Sequence, residues 1–334
     1  MTSTEKAKTK RPLKYTWPAI GNEQAIEFLD RSLSSQTLAQ TYIFIGPKDL
    51  GKATIAFSFS KHLQGESEGF NSDLHLLAPE ADSKIISTEQ VREFIKKLSL
   101  GSFLNNYQVG IIKQADRLQS NAKSALLKTL EEPRDKVIII LLVENEENLP
   151  ATILSRGQKI YFQPVATSTI YDYLVKEKQV DRRMAKSLAG LALGKPLKAL
   201  QWLSDKSAYQ DYLDLARDFL SYFSLAISER LAHLAKNFSD KSFSQSAQAE
   251  AEQRLALLEG LTRDLLLLNF NQPDYLQHIV LLEELKEAFN HLPPLESERV
   301  AYLNQCLESI LQARKSLANN VNPLLVLEQL VINL

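Results

Sequence analysis

Short apolar runs alternate with amphipathic segments through the first half of the chain. Tyr42-Ile43-Phe44-Ile45 ends at Gly46, and Leu74 to Ala78 stops at Pro79. Val109-Gly110-Ile111-Ile112, Val137 to Val143 and Ile160-Tyr161-Phe162 complete the set. These runs are continuous and rich in β-branched residues, the pattern of strands buried on both faces. Between them, apolar residues recur at helical spacing: Ala25, Phe28 and Leu29; Val91, Phe94, Ile95 and Leu98; Ala122, Leu126 and Leu130. Strand, helix, strand in repetition predicts a parallel α/β sheet over residues 15–165.

After Pro164 the strand pattern stops. Residues 166–207 read as short helices broken at Gly194-Lys195-Pro196. Residues 208–334 read as long helices carrying stripes such as Leu255, Leu258, Leu261, Leu265 and Leu268. Asn319-Asn320-Val321-Asn322-Pro323 predicts a break before a last helix, Leu324 to Leu334. Residues 1–14 set Lys6, Lys8, Lys10, Arg11 and Lys14 against Glu5 alone and read as a disordered basic extension.

Composition narrows the class. The 334 residues carry 39 Lys plus Arg and 40 Asp plus Glu, so there is no global pull toward a polyanion. Apolar residues at 44% and charged residues at 24% are ordinary globular values. A single cysteine, Cys306, excludes an internal disulfide framework and a cysteine zinc site, and fits a reducing compartment. The longest apolar run, Val137 to Val143, falls far short of the roughly 18 residues that span a bilayer. Met1-Thr2-Ser3-Thr4-Glu5-Lys6 opens without an apolar leader. The expectation is a cytoplasmic, mostly helical protein without membrane contact.

One stretch carries candidate chemistry. Gly46-Pro47-Lys48-Asp49-Leu50-Gly51-Lys52 matches G-x-x-x-x-G-K, between a predicted strand and a predicted helix. Such glycines turn backbone N–H groups toward a phosphate, and Lys52 supplies a point charge. Gly46, Gly51, Lys52 and Thr54 are therefore the candidate nucleotide-binding residues. The hydroxyl that should follow the lysine and hold Mg²⁺ is replaced by Ala53, with Thr54 one residue late. One residue turns a helix by about 100°, which aims Thr54 away from a metal. The acidic pair expected after a buried strand is also missing: Lys113 and Gln114 follow Ile112. Asp116 lies further on and is expected to cap the next segment. Phosphoryl transfer relies on the metal to neutralise developing charge. Losing these ligands together predicts a chain that does not hydrolyse ATP by itself. The five histidines show no metal-like spacing.

Several stretches together resemble the bacterial clamp-loader branch of the AAA+ proteins, its delta-prime-type chains most of all. Trp17-Pro18-Ala19-Ile20-Gly21-Asn22-Glu23 is similar to the family's opening segment, and Leu38 to Gly46 to its entry into the phosphate loop. Ser124-Ala125-Leu126-Leu127-Lys128-Thr129-Leu130-Glu131-Glu132-Pro133 is a near-complete match to the helix after the second motif. Leu149 to Gln158 resembles the family's Ser-Arg-Cys segment, with Gly157 for Cys. Gly194-Lys195-Pro196-Leu197-Lys198-Ala199-Leu200 resembles its sensor-2 segment, with Lys198 for Arg. Arg263-Asp264-Leu265-Leu266 and Asn320 through Glu328 resemble stretches of its collar. The likeness covers residues 15–334.

The resemblance implies a RecA-like AAA+ domain over 15–165, a small helical lid over 166–207 and a helical collar over 208–334. It implies an open ring with gamma/tau-like motor subunits and a delta-like subunit, which places the sliding clamp on primer–template DNA. It also implies a role for Arg156 as a finger that reaches ATP held by a neighbouring subunit, and for Lys198 beside the chain's own vestigial nucleotide site. Many relatives carry a four-cysteine zinc module, and the interval 61–109 has no cysteine, so zinc is excluded. ATP bound without hydrolysis stays open as a cofactor. Alternative readings are an autonomous AAA+ motor, with Thr54 and Asp116 standing in for the missing ligands, and a P-loop transferase. Lys96, Lys97, Lys123 and Lys128 read as a solvated helix face or as contacts to DNA in the ring.

Overall fold

The computed structural model describes residues 13–65, 73–80, 83, 85–100, 107–132, 134–238 and 245–334. Residues 1–12 of the basic extension, and Pro133, lie outside the described residues. The chain divides into two compact units: residues 1–170 with 194–197, and residues 171–193 with 198–334.

The first unit is built on helix α1 (Glu23–Ser34), strand β1 (Thr41–Ile45), α2 (Lys52–Gln64), β2 (Leu74–Leu77) and α3 (Thr88–Leu98). It continues with β3 (Gln108–Ile112), α4 (Ser120–Glu131), β4 (Val137–Val143), the short α5 (Ala151–Leu154) and β5 (Gln158–Tyr161). The strands form one parallel five-stranded sheet in the order β2-β3-β4-β1-β5. Each apolar run read from the sequence is one of these strands. All seven residues of β4 are buried, as a strand with helices on both faces requires.

Alternate side chains of a strand face opposite ways, and the sheet uses both sets. Tyr42, Phe44, Val109, Ile111, Ile138, Ile140 and Leu142 pack with Leu29 of α1 and Ile55 and Phe59 of α2. Ile43, Ile45, Ile139, Leu141 and Val143 pack with Phe94 of α3, Leu126 of α4 and Ile153 of α5. The register pairs Ile43 with Leu141 and Phe44 with Ile160. β1 thus lies between β4 and β5, and the loop leaving its carboxyl end opens where strand order reverses, the usual place for a ligand in such sheets.

The second unit is helical in its described residues. Helix α6 (Thr167–Lys176) crosses the division, followed by α7 (Arg182–Leu191), α8 (Pro196–Ser204), α9 (Lys206–Ser221) and α10 (Ile227–Asn237). Then come α11 (Gln245–Asn269), α12 (Leu282–Asn290), α13 (Glu296–Ala318) and α14 (Pro323–Ile332). Asn322 caps α14 by accepting from the N–H groups of Leu324 and Leu325. The stripe Leu255, Leu258, Leu261 and Leu265 is buried inside this unit itself. No described helix is long and apolar enough to cross a membrane.

Candidate functional site

The phosphate loop joins β1 to α2. Gly46 donates its N–H to Val143 O at 3.1 Å, which ties the loop to the end of β4. Gly46 has φ 148°, and a Cβ there would fall 2.2 Å from Phe162 O, so only glycine fits. Gly51 has φ 87° with open space where a Cβ would stand, which turns the chain into α2.

Lys52 opens α2 and is buried. Its ammonium donates to Gly46 O and Pro47 O, so its hydrogen bonds are made inside the loop. Burial pushes its pKa down; the charges of Glu144, Asp116 and Asp49 oppose that. Lys48 pairs with Glu144 at 3.4 Å across the loop. Ala53 packs on the α1/α2 side of the core, and Thr54 is half-buried beside it.

At the acidic-pair positions stand Lys113 and Gln114. Lys113 donates its N–H to Leu77 O at 2.8 Å, and its ammonium stands 5.4 Å from the centre of the Phe57 ring. Gln114 takes the left-handed conformation at φ 53°. Asp116 does not cap the next helix as expected. It sits in a one-turn 3-10 helix, Ala115–Arg117, while the N-cap of α4 is Gln119. The buried Asp116 Oδ1 accepts no hydrogen bond in the structure. A magnesium ion needs several oxygen ligands in octahedral array. With Ala53, Lys113 and Gln114 at the ligand positions, the donor set does not fit one. The loop's exposed N–H turn still suits a phosphate. Among the described residues no group of three or more His, Cys, Asp or Glu side chains could hold a metal ion.

Arg156 follows α5. Its Nη1 donates to Thr152 O at 2.8 Å, and its Nη2 meets Glu131 Oε1, at the end of α4, at 2.7 Å. The side chain keeps 35% exposure. Arg156 thus stands on the surface of the first unit with its guanidinium plane fixed from two sides.

A cleft of about 400 Å³ opens elsewhere in this unit, lined by Gly21, Asn22, Tyr161, Pro164, Val165 and Thr169 among others. Two of its lining residues are bonded to each other: Asn22 Oδ1 accepts from Gln163 N at 2.8 Å and Asn22 Nδ2 donates to Gln163 O at 3.2 Å.

In the second unit Lys198 stands over two rings, 4.7 Å from the centre of Trp202 and 5.8 Å from that of Tyr212. Beside it lies a network that sequence reasoning missed. Asp264 accepts from Gln277 N at 2.9 Å and from His278 N at 2.7 Å, and His278 Nε2 meets the Tyr212 hydroxyl at 2.8 Å. The available signal was a charged Asp264 between Leu261 and Leu265 on an apolar stripe. Of the scattered lysines, Lys97 pairs with Glu93 at 2.9 Å and Lys123 donates to Asn148 O at 2.8 Å. Cys306 is buried, and burial pushes its thiol up to about 11, which makes it a packing residue rather than a nucleophile.

A phosphate loop on a β2-β3-β4-β1-β5 parallel sheet, followed by helices, defines the AAA+ class of P-loop proteins. A gamma subunit-related protein of DNA polymerase III from Thermotoga maritima shares this fold, with a TM-score of 0.50 at 17% identity over 91% of this chain and 97% of that one. The family model for the DNA polymerase III delta subunit matches residues 21–166. Over 96% of its length the chain is 27% identical to DNA polymerase III subunit delta-prime of Bacillus subtilis (strain 168), spanning 98% of that protein. It is 25% identical to subunit tau of the same organism over 71% of this chain and 46% of tau. It is 30% identical to the delta-prime subunit of Haemophilus influenzae over 45% of this chain and 44% of that subunit. The chain thus resembles delta-prime subunits over nearly its whole length.

Proposed function

We propose that the chain is a clamp-loader component of the DNA polymerase III machinery that does not hydrolyse ATP and lends Arg156 to a neighbouring motor subunit. The observation supporting this is a division of parts. The phosphate loop has Lys52 bonded to its own carbonyls and Lys113 and Gln114 at the metal-ligand positions. Arg156 presents a partly exposed guanidinium on the same unit. A guanidinium supplied in trans stabilises the charge that builds on a transferring phosphoryl group and can raise hydrolysis about 10³–10⁵-fold.

In this reading gamma/tau-like motor subunits hold the ATP. A delta-like subunit completes the ring. The assembly places the sliding clamp on primer–template DNA in the cytoplasm. Residues 15–165 form the AAA+ domain, 166–207 the lid and 208–334 the collar that joins subunits. Gly46, Gly51, Lys52 and Thr54 are left as a vestigial site that takes ATP without cleaving it.

The test uses the reconstituted loader. Purified alone, the chain should show no ATPase above background, whereas about 1 s⁻¹, the low end of ordinary turnover, would mark it as a motor. In the assembly, Arg156→Ala should leave complex formation intact and cut the DNA-stimulated ATPase at least tenfold. An unchanged rate removes the finger.

A further inference from the structure

We propose that Glu131 is a positioning residue for Arg156, setting the guanidinium in the orientation in which it meets a neighbour's phosphates; the proposal rests on the finger reading above. Glu131 is the last residue of α4, where the carbonyl end of the helix disfavours a negative charge. The carboxylate is compensated instead by Arg156 Nη2 at 2.7 Å. The opposite edge of the same guanidinium is held by Thr152 O, which accepts from Nη1 at 2.8 Å and also from Ser155 Oγ at 3.2 Å. Two anchors on different elements fix a planar group, while a single anchor lets it swing.

The magnitudes favour orientation over stability as the consequence. The two side chains are 35% and 49% exposed. Ion pairs at such exposure contribute little to folding. A long side chain that must meet a phosphate on another subunit gains instead from having its rotamers fixed in advance. The fork needs only some of its five N–H donors for Glu131 and Thr152, so an outside anion can be met without releasing either anchor. Charge-assisted bonds of this kind also hold direction better than neutral ones.

The experiment is a double-mutant cycle on the DNA-stimulated ATPase of the reconstituted loader, using Glu131→Gln, Arg156→Ala and the pair. Glu131→Gln removes the charge at an exposed helix end and keeps the size, and assembly on gel filtration reports that the chain folds. The expected result is a kcat lowered about tenfold with KM for ATP changed less than twofold, because a displaced fork costs rate rather than nucleotide affinity. In the Arg156→Ala background the same change should cost nothing further, and Glu131→Asp should recover part of the rate. If Glu131→Gln stays within twofold of the parent while Arg156→Ala loses at least tenfold, the positioning role falls and the finger stands. Losses that multiply in the double variant also overturn the proposal. If neither single variant changes the rate, the finger reading falls and takes this one with it.

Discussion

His278 Nδ1 lies 2.8 Å from Asp264 Oδ2, with both side chains fully buried in the second unit. A carboxylate can only accept, so Nδ1 donates to Asp264, and Nε2 and the Tyr212 hydroxyl are hydrogen-bonded at 2.8 Å. Burial, then the charge of Asp264, push the Tyr212 hydroxyl far above its ordinary pKa, which keeps it protonated. The network thus links α11, the 277–278 segment and α9.

That network predicts a large loss on truncation. Asp264→Ala strips acceptors from Gln277 N, His278 N and His278 Nδ1 together. Leaving a buried donor unsatisfied costs about 1–3 kcal/mol. The chain has two tryptophans, and Trp202 belongs to the second unit, so Trp17→Phe makes fluorescence report that unit alone. Urea unfolding of Asp264→Ala in this background should show the loss, and a change under about 1 kcal/mol would mean that these bonds are replaced by water.

Asp30 predicts an acid dependence in the first unit. It is buried on α1 and accepts from Lys14 N at 3.1 Å, Tyr15 N at 3.0 Å and Trp17 Nε1 at 3.2 Å, which straps residues 14–17 onto the helix. Burial raises its carboxyl, but the two backbone N–H groups and the indole outweigh burial and bring the pKa below its ordinary 3.8. A depressed carboxyl stabilises the fold above its unfolded pKa and loses that contribution as pH falls through the folded value. Asp30→Asn should therefore be less stable than the parent at pH 6, with the gap closing below pH about 3.8. A gap that is constant from pH 6 to pH 3 in thermal melts contradicts the strap.

The strands were legible because a two-sided sheet demands unbroken apolar runs, and Val137 to Val143 has no other use. The phosphate loop was legible for a similar local reason: glycines and a lysine at fixed spacing have a backbone consequence. Arg156 was legible only through its likeness to a family, since a lone arginine has no period or spacing. Its partner Glu131 lies in a matched segment, yet nothing in that segment points across to α5. Asp116 misled because a short acid before a helix normally caps it, whereas here a 3-10 turn intervenes. The Asp264 network was hidden because its members are far apart in the chain, at 212, 264 and 278.

Magnesium supplies the last prediction. A ligand that binds the folded state raises stability by RT ln(1 + [L]/Kd), so any metal held with nucleotide must show as added stability. In an active loop the metal would be held by a hydroxyl after the lysine and by carboxylates at the end of β3. Here Ala53, Lys113 and Gln114 stand there, and the ammonium of Lys113 stands 5.4 Å from the centre of the Phe57 ring. A cation at that place would find no hydroxyl at 53 and no carboxylate at 113 or 114. Thermal melts of the purified chain in saturating ATP should then be the same with EDTA and with excess Mg²⁺, to within about 1 °C. Lys113→Asp is the converse probe: it places one carboxylate at the end of β3 and should make the melt respond to Mg²⁺. A parent chain that already gains several degrees from Mg²⁺ would show that oxygen ligands other than those at 53, 113 and 114 hold the ion, and the case against hydrolysis would lose its footing.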